Sequence, residues 1–334
     1  DSNAHLRLTG MTHSSPGNVR VIDLTGDGFA DRIYMADLGG KLWRFDIFNG
    51  ESASSTTEGS RLMEGGLLAS LGNAEDSASR DETNTIRFFY SPDPALVTKP
   101  GPHFINVGIG SGHRELPASD KTAVNWFYSV RDYNVYTQLL SSWYSNDPSA
   151  TGCTDNTKPC HLTLDEGDLV DLTNSVGDTA TAAVPVAYPN AAAGWKVQLT
   201  VTGEKVLAES RTFQDRIFFT TYAPETITST SVACGTAFGQ NRIYVVNALD
   251  ARPVNTQWDT NVSTETTADR SKKLAQGSIA PEVVFVFPTP PVDPNDPNAT
   301  PPAVPPICLV GLENCGTGLL NPPVRTYWLQ DNAN

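Results

Sequence analysis

At 334 residues the chain is long enough for two domains of ordinary size or for one large all-β domain. Twenty-three Lys and Arg stand against 37 Asp and Glu, and the net charge of −14 argues against nucleic acid or an anionic membrane as partner. Only 18% of residues are charged, with 26 Gly and 24 Pro beside 39% hydrophobic residues, which describes a β-rich, loop-rich, exported chain that can still build a core.

No run approaches the roughly 18 apolar residues of a transmembrane helix. Residues Asp1–His5 lack the basic and apolar regions of a signal peptide, so the chain is expected to be a mature form or a fragment of an exported protein.

The first informative stretch is Asp23-Leu24-Thr25-Gly26-Asp27-Gly28-Phe29-Ala30-Asp31. Oxygen side chains fall at loop positions 1, 3, 5 and 9 with Gly at 6, the spacing of an EF-hand-type calcium loop. Asp23, Asp27 and Asp31 would supply carboxylates, Thr25 a hydroxyl and Phe29 its backbone carbonyl. Position 12 is Tyr34 rather than a bidentate Glu, and the flanks Val19–Ile22 and Arg32–Ala36 read as strands, so the expectation is a β-hairpin calcium loop. The competing reading is a solvated Asp/Gly turn that binds nothing. Next comes Arg32–Asp37, a Leu38-Gly39-Gly40 turn and Lys41–Ile47, two alternating segments of a hairpin.

Residues 50–85 are rich in Ser, Thr, Glu and Gly and read as a long loop, with 60–72 as a candidate helix. The strand grammar returns at Phe104–Gly108, Asn125–Val130, Asp215–Thr221 and Asn241–Asp250. Its shared phrase is a polar residue, Arg-Ile and an aromatic, as in Asp31–Tyr34, Asp215–Phe218 and Asn241–Tyr244. Weak repetition of this kind predicts a β-propeller with blades of ~40–45 residues, the alternative being a β-sandwich. A short helix is expected over Asp165–Asn174. Residues 288–306 form a Pro-rich loop that cannot enter a sheet interior.

Cys153 and Cys160 lie seven apart, as do Cys308 and Cys315, and neither pair has zinc spacing. Two loop-closing disulfides and an oxidising compartment are expected, with Cys234 left over.

Enzyme motifs fail on inspection. Gly108-Ile109-Gly110-Ser111-Gly112 has Gly where a nucleophile elbow needs Ser, and His113 stands where a dinucleotide fingerprint needs Gly. His5, His13, His103, His113 and His161 are scattered without ligand spacing. Trp43, Trp126, Trp195 and Trp328 are expected to fill wedges between blades. Asp165, Glu166 and Asp168 read either as a second cation site or as an acid-rich helix start.

The run from Val21-Ile22-Asp23 to Trp43-Arg44-Phe45-Asp46 closely resembles the C-terminal domain of the PilY family, pilus-tip adhesins and type IV pilus biogenesis factors of bacteria. Val107–Arg114, Gly203–Leu207 with Phe218–Tyr222, Gly311-Leu312-Glu313 and Tyr327-Trp328 extend the resemblance over roughly residues 10–330. It implies a modified, quinoprotein-like β-propeller, all-β, with long loop insertions and a short helix. It also implies a Ca2+ site on Asp23, Thr25, Asp27, Phe29 and Asp31 whose occupancy is linked to pilus extension against retraction. The whole of 1–334 is then expected to be a C-terminal propeller domain lacking upstream blades and the family's large N-terminal region. The expected function is non-catalytic, at the pilus tip or outer cell surface, with minor pilins, a host or abiotic surface and the upstream polypeptide as partners. No Arg-Gly-Asp triplet occurs, so integrin binding does not carry over. The alternative is a secreted propeller enzyme, a quinoprotein-like dehydrogenase or a hydrolase.

Overall fold

The structure is a computed structural model that describes residues 6–72, 85–98, 103–145, 161–185, 192–224, 239–254, 266–288 and 304–315. Four successive β-sheets account for most of it, antiparallel except for a two-residue parallel edge strand on each of the first two. In the first, β1 (Arg20–Ile22), β2 (Arg32–Ala36), β3 (Lys41–Ile47) and β4 (Met63–Ser70) run in sequence order. The β2–β3 hairpin falls where its alternation and glycines place it. Gly40 takes φ +75°, and the Asp37 carboxylate closes the turn by accepting from the Gly39 and Lys41 amides and from the Trp43 indole.

Met63–Ser70 corrects the expectation of a loop or helix over this stretch. A Cβ on Gly65 would sit 2.4 Å from the Phe45 ring, and one on Gly66 would sit 2.3 Å from the Tyr144 ring. These glycines are not turn formers. They let β4 pair with β3 beneath two aromatic rings.

The second sheet contains β5 (Asp93–Val97), β6 (Phe104–Gly110) and β7 (Trp126–Asp132). Two-residue strands follow: β8 (Tyr144–Ser145) pairs with β9 (His161–Leu162), and β10 (Leu164–Asp165) joins β4 at the edge of sheet one. Then β11 (Val170–Asp171) lies beside β12 (Gly194–Gln198), which pairs with β7. The helix expected over 165–174 is a single 3-10 turn, Glu166–Asp168, and the seven-residue helix α1 comes later, at Gly177–Ala183. Leu169 and Leu172 enter different cores, as an extended segment requires and one helical face does not allow.

The third sheet orders β13 (Lys205–Val206), β15 (Arg216–Ala223), β16 (Gln240–Asn247) and β17 (Ser271–Lys273), with β14 (Arg211–Phe213) also on β15. The fourth is β18 (Val283–Val286), β19 (Ile307–Val310) and β20 (Glu313–Asn314). Cys308 and Cys315 form the expected disulfide, with Cα atoms 5.2 Å apart, across the β19–β20 turn. Cys153, Cys160, Cys234, Trp328 and most of the Pro-rich stretch lie outside the described residues.

Period-two alternation lets each strand feed two cores. On β7, Tyr128 and Val130 join Tyr34, Ala36 and Leu42 of sheet one, while Phe127 faces sheet three. On β15, Ile217 and Phe219 face sheet two, while Phe218 packs with Val283, Cys308 and Val310 of sheet four. The sheets therefore stack face to face in sequence order. The all-β expectation holds, and among the described residues no strand pairing closes the four sheets into a ring.

Candidate functional site

The β1–β2 connection is the loop 23–31. Gly26 and Gly28 take φ +76° and +87°, which wraps the backbone around the acidic side chains. The Asp23 carboxylate accepts from the amides of Gly26 (2.6 Å) and Gly28 (2.8 Å), and Asp31 Oδ2 accepts from those of Leu24 (2.6 Å) and Thr25 (2.9 Å). Asp27 Oδ1 accepts from the Phe29 amide at 2.9 Å. The Gly28 amide foremost, against desolvation and with help from Gly26, Asp27 and Thr25, holds the Asp23 carboxyl below its ordinary range.

The five expected ligands thus share one exposed turn. Its chemistry is all oxygen, as a hard cation requires. In this conformation the carboxylates of Asp23 and Asp31 cap the loop's own amides, and among the described residues no group of three His, Cys, Asp or Glu is gathered as a metal cluster.

Beneath the loop lies a network that sequence reasoning missed. Arg32, directly after Asp31, is fully buried with Tyr34, Arg44, Asp46 and Asp132. Arg32 Nε donates to Asp46 Oδ1 at 2.6 Å, and Arg44 donates to both Asp46 oxygens and, through Nη1, to both Asp132 oxygens at 2.8 and 2.9 Å. The Tyr34 hydroxyl donates to Asp132 Oδ2 at 2.6 Å, and burial followed by the Asp132 charge pushes that phenol well above its ordinary value. Both guanidinium groups also donate to the Thr137 carbonyl. Two cations meet two anions, so the buried charge balances, and Asp132 at the end of β7 ties sheet two to sheet one. The Asp31 carbonyl accepts from the Ile47 amide at 2.8 Å, which anchors the end of the loop to β3. A signal existed: Arg32, Arg44 and Asp46 lie in phase with Tyr34, Ala36 and Leu42, on the face that goes inward.

Other candidates take structural roles. Asp165 and Asp168 cap each other's amides across the 3-10 turn, and Glu166 meets Lys196 Nζ at 3.0 Å. In the Gly108–Gly112 segment, a Cβ on Gly110 would meet Val206 at 2.2 Å and one on Gly112 would meet Lys205 at 2.7 Å, so these glycines seat sheet two on sheet three. His113 stacks on Phe89. Trp43 and Trp195 are buried, and Lys196 sits over the Trp126 ring.

One further carboxyl is displaced in its titration. Burial pushes Asp93 up to about 6, against the Thr212 hydroxyl and the guanidinium groups of Arg211 and Arg20, which pull it down. A folded-state value above the unfolded one means a contribution that is complete near pH 4 and lost as pH rises through 6. Asp93→Asn keeps the Thr212 hydrogen bond and removes the charge. It is expected to be more stable than wild type in urea melts at pH 7.5, by at most about 3 kcal/mol, with the difference vanishing near pH 4. A variant that is less stable at pH 7.5 contradicts this.

No family model matches the chain. A type IV pilus biogenesis factor PilY1 homolog from Xylella fastidiosa is 26% identical over 247 residues, which is 71% of this chain and 14% of that protein. The crystal structure of the Pseudomonas aeruginosa PilY1 C-terminal domain aligns over 92% of this chain and 60% of that one, with TM-score 0.51 and 14% identity. The chain is similar to the PilY family's C-terminal domain in sequence and in fold. This PilY-like chain spans only a small part of the curated relative's length, and the solved PilY1 domain also extends well beyond the portion matched. Among the described residues of the PilY-like chain, no helix is long and apolar enough to cross a membrane.

Proposed function

We propose that the chain is a non-catalytic, calcium-binding domain of a type IV pilus factor, displayed at the pilus tip or outer cell surface. Ion occupancy of the 23–31 loop biases pilus extension against retraction and surface attachment. The observation that carries this reading is the PilY-like fold with an oxygen-only loop at its first hairpin. The face-to-face succession of sheets supports a modified β-propeller, with further blades from the upstream part of the same polypeptide. Minor pilins and a host or abiotic surface are the partners this reading implies.

Asp23, Thr25, Asp27 and Asp31, with the Phe29 carbonyl, would hold the ion. Calcium there supplies charge neutralisation alone. Three carboxylates within nine residues repel one another, and their repulsion is what binding relieves. Arg32 then carries the order of the loop into the buried network.

Calorimetric titration of calcium into wild type and Asp27→Ala tests the site. Asp27 is the better target, because it accepts from the Phe29 amide whereas Asp23 braces both Gly26 and Gly28. Saturable binding is expected in wild type and none in the variant. Calcium at 100 times its dissociation constant should stabilise wild type by about 2.7 kcal/mol. Equal affinity in the two proteins removes the site assignment. Lost affinity with unchanged twitching and pilus display leaves the loop as a structural staple.

A further inference from the structure

A cleft of about 540 Å³ opens where segments from all four sheets converge: residues 16–20 leading into β1, 89–90 before β5, 207–211 leading into β14 and 281–282 before β18. It shares no residue with the 23–31 loop. Its charged wall is Arg20, Arg114, Arg211, Glu209 and Glu282, three guanidinium groups against two carboxylates in a chain of net charge −14.

The two carboxylates are already engaged. Glu209 takes hydrogen bonds from Ser91 Oγ (2.9 Å) and Arg20, and pairs with Arg211 at 3.2 Å. Glu282 pairs with the other arm of Arg211 at 2.7 Å. Donors remain on the opposite side of the account. Arg114 is exposed, lies 5.3 Å over the Tyr90 ring and makes no ion pair with a described residue. Arg20 Nε is buried and has no hydrogen-bond partner.

Arg20 donates to Glu209 alone among the described residues and so keeps N–H groups to spare, and a guanidinium held over an aromatic ring is restricted in the directions it can present its own. Both features suit a planar or tetrahedral oxyanion, which accepts several N–H bonds at once. We propose that this cleft is a binding site for a small oxyanion, a carboxylate or phosphate group, gripped by the guanidinium groups of Arg114 and Arg20. Glu209 and Arg211 act as positioning residues that fix Arg20. The same chemistry can come from an acidic saccharide or from free phosphate.

The test is titration of glucuronate, glucose and inorganic phosphate into the chain, followed by saturation-transfer NMR and calorimetry in 50 mM salt. Glucuronate is expected to bind saturably and glucose not at all. Binding should weaken at least tenfold in Arg114→Gln and less in Arg114→Lys, which keeps the charge but not the fork. Phosphate displacing glucuronate at equal concentration supports a site for the free anion, and failure of phosphate to compete supports one for an acidic sugar. Arg114 is exposed, so an unchanged melting curve is expected and separates lost binding from lost fold. No saturable binding of either anion to wild type overturns the proposal. So does equal glucuronate affinity in wild type and Arg114→Gln.

Discussion

Replacing Asp132 with alanine is expected to lower the unfolding free energy by about 3–5 kcal/mol, among the largest effects of any single change in the chain. The loss comes less from the removed bonds than from what they leave behind. Arg44 keeps its Asp46 partner but loses both Asp132 bonds, and Tyr34 loses the acceptor of its hydroxyl. Two anions become one against two buried cations, in a site closed to bulk solvent. Asp132→Asn retains an acceptor for Tyr34 and should fall between alanine and wild type. Urea denaturation reads the change as a lower midpoint. A loss under about 1 kcal/mol in the alanine variant would mean that the network is hydrated in solution and does not fasten sheet two to sheet one.

A comparable loss, about 3–5 kcal/mol, is expected for Phe219→Ala. Phe219 lies between Phe127 and Tyr244, with ring centroids 3.9 and 4.7 Å away and planes within 10° of parallel. Phe127 belongs to β7, whereas Phe219 and Tyr244 are cross-strand partners on β15 and β16, so the central ring bridges sheets two and three. Ile217 and Val246 flank the gap and are themselves buried, which limits collapse into the space that alanine leaves. Phe219→Leu keeps most of the volume without the stacking and should lose clearly less. A leucine variant as stable as wild type would show that ring stacking contributes nothing beyond filled volume, and equal losses in the two variants would show that filled volume contributes little without the stacked rings.

Local chemistry was legible in the sequence, and long-range partners were not. The β2–β3 hairpin, the two central strands of sheet three, β15 and β16, and the Cys308–Cys315 bridge follow from local alternation, turn glycines and spacing. Gly65 and Gly66 misled because what they make room for, the rings of Phe45 and Tyr144, is distant in sequence. The acids at 165–168 cap a single 3-10 turn rather than start the expected helix, because Leu169 and Leu172 are claimed by different cores directly after it.

The repeated Arg-Ile-aromatic phrase reported a strand pattern, not a shared role. Arg32 is buried among carboxylates, while Arg242 keeps partial exposure and donates to Ser271. As for the candidate site, the turn at 23–31 and its inward-wrapped acids were readable from spacing alone. The network under it was not, because Asp132 completes it from another sheet.

Each apolar core in this chain joins a sheet to its neighbour in sequence. A newly duplicated segment could enter such a row by presenting two compatible faces, without disturbing cores further along. The unit such an addition would have to match is therefore the pair of facing residues: Phe127 with Phe219, or Phe218 with Val283. Substitutions should be inherited jointly across a junction rather than along a strand, and two adjacent residues of one strand, such as Phe218 and Phe219, are free to evolve at different rates.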